Sequence, residues 1–135
     1  MNYLLDTNVL SEPAKPSPNI KLIRWLSDHD AHVLVSVLTL GEIVKGIELL
    51  PAGKRRVKLE GWFEEIEEWA SGRLIHVDAE VMRTWGKYYA RHLKRGLALD
   101  VMDSLLSATA LAHGLTIASR NENDFPDVPV MNPWE

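Results

Sequence analysis

Residues 103–125 read DSLLSATALAHGLTIASRNENDF, and this stretch decides the fold. From Asp103 to His113 the side chains are apolar or small nearly all round, the pattern of a helix buried on every side. Gly114 follows, at the place where a helix ends in left-handed backbone that favours glycine. A strand-length apolar run, residues 115–118, comes directly after it. A buried helix feeding a strand is the unit from which parallel sheets are assembled.

Working outward, the same alternation covers the rest of the chain. Strand-length runs fall at residues 3–6, 32–36, 74–76 and 128–130, with segments of helical period between them. EPAKPSP, residues 12–18, breaks structure before Pro18 opens a helix carrying Ile20, Leu22, Ile23 and Leu26. A second helix is expected over residues 39–50, stopped by Pro51 and Gly53. Residues 54–69 place Leu59, Trp62, Phe63, Ile66 and Trp69 on one face and most of the glutamates outside it. Asp78 is the expected N-cap of a helix closed by Gly96, with Val81, Trp85, Tyr88 and His92 as its inner stripe. The fold class is therefore α/β, a three-layer α/β/α arrangement around a central parallel sheet of about five strands. With 135 residues and no internal linker or repeat, residues 1–135 are expected to form a single domain.

Composition removes several classes of function. Hydrophobic residues make up 46% and charged residues 25%, the balance of an ordinary globular chain and not of a disordered or fibrous one. Fifteen basic against 19 acidic residues leave a net charge of −4, which argues against a protein that coats nucleic acid but not against an enzyme that handles a phosphodiester locally. Cysteine is absent, which removes disulfides, thiolate metal sites and cysteine nucleophiles. No targeting segment and no stretch approaching a membrane span is visible, so a soluble, cytoplasmic protein is expected, with no membrane partner.

Against that background four acids stand out: Asp6 at the end of the first strand, Glu42 in the second helix, Asp103 at the start of the buried helix and Asp124 beyond the fourth strand. In open parallel sheets ligands bind beyond the carboxyl ends of the strands, where strand order reverses. Should the first and fourth strands be neighbours there, Asp6 and the 120–124 loop share one crevice. Clustered carboxylates raise one another's pKa, and a hard divalent cation is the simplest way to keep them ionised. Magnesium or manganese suits such oxygen donors and supports hydrolysis of a phosphodiester.

Each acid, taken singly, also has a structural account. Thr39-Leu40-Gly41-Glu42 matches the capping box, in which Glu42 would merely start its helix. Asp100 and Asp103 fit first-turn acids favoured by the helix dipole. Asp6 fits the cap of a short helix, and Asp124 an Asx turn before Phe125-Pro126. Four such acids at ligand-side positions reverse the odds. The basic stripe Arg83, Lys87, Arg91 and Lys94, with Arg95, and the group Lys54, Arg55, Arg56 and Lys58 fit either phosphate contacts or solvated faces. The five tryptophans fall mostly on apolar faces and belong to the core or to a subunit interface.

Four blocks, LLDTNVLSE, TLGEIVKGI, DSLLSATALAHGLTIASRNENDF and the terminal NPW, together resemble the PIN-domain ribonucleases, especially the FitB-like branch of VapC-type toxins. The resemblance runs in order over almost the whole chain. It implies a PIN-like α/β/α fold, a magnesium-dependent endoribonuclease, with manganese as the other candidate ion, and an RNA substrate. It further implies a small DNA-binding antitoxin as partner and a toxin homodimer. On the same basis Asp6, Glu42 and Asp103 match the acids around the metal, with Thr7 and Asn8 supporting them. The position directly after Arg120, where the family often has an acid, is Asn121; either Asp124 supplies that carboxylate or the site is weaker for lacking it. A catalytically weak binding module, or a phosphoryl-transfer domain of the dehalogenase or receiver type, is the alternative. Asn8 and Arg120 stand where those two types want an aspartate and a lysine.

Overall fold

Successive side chains of a strand point to opposite faces, and this sequence fills both with apolar groups. The computed structural model describes residues 2–135. Among them, β1 (Tyr3–Leu5), β2 (Val33–Ser36), β3 (Leu74–Ile75), β4 (Thr116–Ala118) and β5 (Val130–Met131) form one parallel sheet in the order β3-β2-β1-β4-β5. Leu5, Val33, Val35 and Ala118 face one side, where α1 (Thr7–Ser11), α2 (Ile20–Asp28), α3 (Val37–Glu48) and α4 (Lys54–Ala70) meet them through Val9, Leu22, Trp25, Ile43, Ile47 and Ala70. Leu4 and Ile117 face the other, against Tyr88 of α5 (Ala79–Lys94) and Leu106 and Ala110 of α6 (Val101–His113). Complete burial of each such leucine or isoleucine contributes about 1.5–3 kcal/mol. The three-layer α/β/α expectation is met.

The helix boundaries show which local signals won. Asp78 caps α5, accepting a hydrogen bond from Val81 N at 3.0 Å, and Gly114 ends α6 at φ +64°. Asn19, not Pro18, opens α2: its side-chain oxygen accepts from Leu22 N at 3.1 Å. α3 starts two residues before the expected position 39, because Ser36 leaves β2 in extended backbone and its Oγ accepts from Leu38 N at 3.0 Å. Thr39 lies in the helix interior, fully buried, and donates to the Leu5 carbonyl at 3.4 Å. The capping-box account of Glu42 therefore fails. α6 likewise begins at Val101, ahead of Asp103, with Asp100 as its cap.

The last strand is at Val130–Met131 instead of residues 128–130. Asp127 takes a left-handed φ of 63° and Val128 N bonds back to the Phe125 carbonyl, closing a turn. The ladder resumes only after it, where the Pro129 carbonyl accepts from Ile117 N at 2.9 Å. The tryptophans pack as expected. Trp25 is buried, Trp62, Trp69 and Trp134 cover the first core half, and Trp85 Nε1 donates to Ser104 Oγ at 2.9 Å.

Because Ser36 holds the start of α3, Ser36→Ala should lower the unfolding free energy by about 1 kcal/mol, the usual value of an N-cap. Chemical denaturation reads this as a lower midpoint with unchanged slope; an unchanged midpoint would return the cap to Thr39.

Candidate active site

β1 pairs with β4, and beyond their carboxyl ends the chain turns away in opposite directions. Asp6 is the first residue past β1, and its N–H extends the ladder by donating to the Ala118 carbonyl at 3.0 Å. Its backbone is extended, and it caps α1. Only 7% of its surface is exposed, yet its carboxylate is well provided with donors. Oδ1 accepts from Thr7 N at 2.8 Å, and Oδ2 accepts from Ser119 Oγ at 2.7 Å and from Asn8 Nδ2 at 3.3 Å. Ser119, the first residue past β4, spends its one proton on Asp6 and accepts from Asn121 N at 3.0 Å and Asn8 Nδ2 at 3.4 Å. Thr7 ties the second acid to this group, its Oγ1 donating to Glu42 Oε1 at 3.1 Å.

Asp103 enters from the first turn of α6, held by its own N–H donating to Asp100 Oδ2 at 3.0 Å. Burial first, and then the charges of Asp100, Asp124, Asp6 and Glu42, push its carboxyl from 3.8 up to about 7. Asp6 is also raised, chiefly by burial; the bonds from Ser119 and Thr7 oppose the shift and Asp124 adds to it. Glu42 is raised by burial, opposed by Thr7, and pushed further by Asp6 and Asp100. Asp6 and Glu42 thus both act on Asp103, and the charge of Asp124 reaches Asp6 and Asp103. Asp124, on the exposed 3₁₀ turn of residues 122–124, stands at the rim, whereas Asn121 reaches the cluster through its backbone N–H.

Asp100 and Ser119 were not among the residues marked by the sequence as site members. Asp100 reads as a helix cap, which it is, and nothing in its spacing separates that role from its charge on Asp103. Ser119 is one serine after a strand, and only the β1–β4 pairing aims it at Asp6.

Among the described residues, no three Asp, Glu or His side chains are arranged to hold a metal ion by themselves. That does not conflict with magnesium, which keeps several waters and takes one or two carboxylates directly. An all-oxygen donor set whose members raise one another's pKa fits such a hydrated hard cation. Beside the acids a groove of about 380 Å³ starts at Thr7 and Glu42 and runs past Ile43, Ile47 and Trp62 to Arg55 and Lys58. Arg56 is occupied otherwise, bonding Glu48 at 2.7 Å and the Leu50 carbonyl at 3.2 Å. Arg83, Lys87, Arg91 and Lys94 are exposed on the outer face of α5.

The raised carboxyl has a consequence for stability. Between about pH 4 and pH 7 the folded protein holds a proton on Asp103 that the unfolded chain has lost, so stability without metal should fall as pH rises through that window and level off above it. Asp103→Asn should remove much of this slope and melt above wild type near pH 8, and millimolar magnesium should raise the wild-type melting temperature there. Thermal unfolding from pH 4 to 8 checks both; a variant with the wild-type slope would dissociate Asp103 from the effect.

The family model for the PIN domain matches residues 3–131. The toxin FitB of Neisseria gonorrhoeae is 35% identical over 135 residues, with 97% of each chain covered. The VapC ribonuclease Y4jK of Sinorhizobium fredii is 32% identical over 136 residues, covering 98% of this chain and 97% of that one. A structure of FitAB bound to a DNA fragment contains a chain that superposes with a TM-score of 0.89 at 34% identity, covering 98% of this chain and 96% of that one. The matched span takes in the whole sheet and every acid described above, which sets aside the dehalogenase and receiver folds: the chain belongs to the PIN-domain family.

Proposed function

We propose that this protein is a magnesium-dependent endoribonuclease, with manganese as the other candidate ion, and the toxin of a toxin–antitoxin module. The observation that carries the proposal is the convergence of Asp6, Glu42 and Asp103, with Asp124 at the rim, beyond the paired ends of β1 and β4. Asp6, Glu42 and Asp103 would hold the cation. When bound it lowers the pKa of a water and neutralises charge on a phosphoryl oxygen.

The protein's own groups do the rest. Ser119, Thr7 and Asn8 fix the Asp6 carboxylate, and Thr7 fixes Glu42, so that neither acid must reorganise during the reaction. Asp124 accepts a hydrogen bond from the attacking water and orients it toward phosphorus. As that water adds, its proton passes to solvent, the bond from phosphorus to the leaving ribose oxygen breaks, and the leaving oxygen takes up a proton from solvent. Arg55 and Lys58 line the groove that leaves the acids and offset the charge of neighbouring phosphates. Asp124, not Asn121, supplies the fourth carboxylate, because Asp124 acts on both Asp6 and Asp103 while Asn121 is engaged through its backbone.

The partners follow the relatives. A toxin named FitB and a FitAB assembly bound to DNA support a DNA-binding antitoxin partner for this chain, and a toxin homodimer is proposed with it. A cationic side chain of such an antitoxin would neutralise the acids as a metal does. Among the described residues no helix is long and apolar enough to cross a membrane, and the proposed place of action is the cytoplasm, with residues 1–135 working as one nuclease domain.

The test is cleavage of a mixed RNA pool by antitoxin-free protein, with magnesium or with EDTA, beside a folded Asp6→Ala variant. Cleavage should require the metal and fall by more than about 10–100-fold in the variant, the range lost when merely a supporting partner of a metal site is removed. Absence of cleavage by folded wild type, with no response to magnesium titration, would favour a binding module that retains the fold. Light scattering should give the mass of a dimer; a monomer at all concentrations would contradict the proposed assembly.

A further inference from the structure

We propose that Tyr88, His92 and Arg95, around the C-terminal end of α5, are positioning residues for Asp124, acting through a grip on Pro126 and Asp127. The inference rests on the nuclease reading above, in which Asp124 supports the attacking water.

Asp124 sits on a loop with two anchorages. On one side is Ser119, fixed to Asp6 and Asn121. On the other, Phe125 is buried against the second core half, and Tyr88 OH donates to the Pro126 carbonyl at 2.7 Å. Asp127 Oδ2 then takes two partners at once, His92 Nε2 at 2.9 Å and an Arg95 guanidinium nitrogen at 3.1 Å. Only Phe125 and Pro126 separate the gripped carboxylate from Asp124, and the proline ring fixes its own φ. The linkage between grip and acid is short and stiff.

Two features point beyond simple packing. His92 is fully buried, with Nδ1 2.7 Å from the Tyr88 carbonyl and Nε2 on the Asp127 carboxylate, so both ring nitrogens face acceptors. His92 is a buried polar ring in a place that apolar side chains otherwise fill, and it is committed to a carboxylate that is itself half exposed, Asp127. What it supplies is direction. Asp127 is also the single non-glycine residue with positive φ among the described residues, at 63°. A strained backbone of this kind persists where the surroundings over-determine it. The strained residue and its three-membered clasp lie three positions from an acid whose charge acts on both Asp6 and Asp103.

The experiment compares wild type, Tyr88→Phe, Asp127→Asn, Asp124→Asn and the Asp127→Asn/Asp124→Asn double variant. Asparagine tolerates left-handed backbone, so Asp127→Asn keeps the turn while weakening the clasp. Kinetics on RNA and amide hydrogen exchange are measured on the same preparations. Tyr88→Phe and Asp127→Asn should each lower kcat about tenfold with KM within about twofold, the size of effect typical of groups that orient a site. Exchange at residues 121–125 should accelerate while that of β1 and α6 stays as in wild type. In the Asp124→Asn background, Asp127→Asn should cost nothing more, because the two act through one group. An equal further loss in the double variant, or a kcat unchanged in both single variants, would overturn the proposal. Should wild type fail to cleave RNA at all, the nuclease reading falls and exchange alone decides the clasp: wild-type protection of residues 121–125 in Asp127→Asn would overturn it.

Discussion

The pairing of β1 with β4 is the constraint on which the site depends. These strands are separated by 110 positions or so in the chain, yet their register, Leu5 opposite Ala118, sets Asp6 beside Ser119. From that one alignment the 2.7 Å bond between them follows, and with it the orientation of Asp6, the anchoring of Asn8 and the start of the 119–124 loop. A slip of one residue would turn Leu5 and Ala118 into the core half that Leu4 and Ile117 now fill and disrupt the packing of both faces. Core packing therefore fixes the register that aligns Asp6 with Ser119 as a by-product of burying Leu4, Leu5, Ile117 and Ala118.

Electrostatics at the site opposes folding. Burial and four neighbouring acids raise Asp103, and Asp6 and Glu42 shift the same way. An acid whose native pKa is raised withdraws stability once the pH passes the unfolded value, so the cluster is a burden that the two core halves must offset. Perturbed carboxyls gathered at a cleft mark functional sites more often than structural ones. Here the marking is strong, since only a divalent or partner cation relieves all of the acids together.

Much of this was legible in the chain and some was not, for identifiable reasons. The helix expected from Asp103 to His113 was visible because apolar and small residues fill nearly all of its faces, although it starts at Val101 and leaves Val101 and Leu111 exposed, and Gly114 marks its end without ambiguity. Asp78 and Gly96 were legible as a cap and a stop for the same local reason. Thr39-Leu40-Gly41-Glu42 misled because a capping box is a local pattern that Ser36, placed at the strand end, supersedes. The fifth strand was misplaced because the turn at Asp127 depends on a contact with α5, 32 to 35 positions away, that no local pattern announces. Ser119 was invisible on the same ground, because it meets Asp6 only through the pairing of distant segments, whereas Asp100 is local to Asp103 and was hidden because a capping acid looks the same whether or not its charge also acts on a site.

The proposed chemistry explains why an acidic protein can handle a polyanion. Five carboxylates repel phosphate, and the net charge of −4 offers no general attraction. Steering must therefore be local, from Arg55 and Lys58 along the groove, while the cation reverses the sign of the field at the acids themselves. Without a cation the centre would repel the proposed substrate, it opposes folding, and Asp103 is left partly protonated near neutral pH. One ion removes all three obstacles, so metal binding, stability and substrate binding are expected to rise together. A partner that offers a cationic side chain to the same acids would supply the stability while occupying the place of the substrate. Inhibition and stabilisation would then share one electrostatic cause.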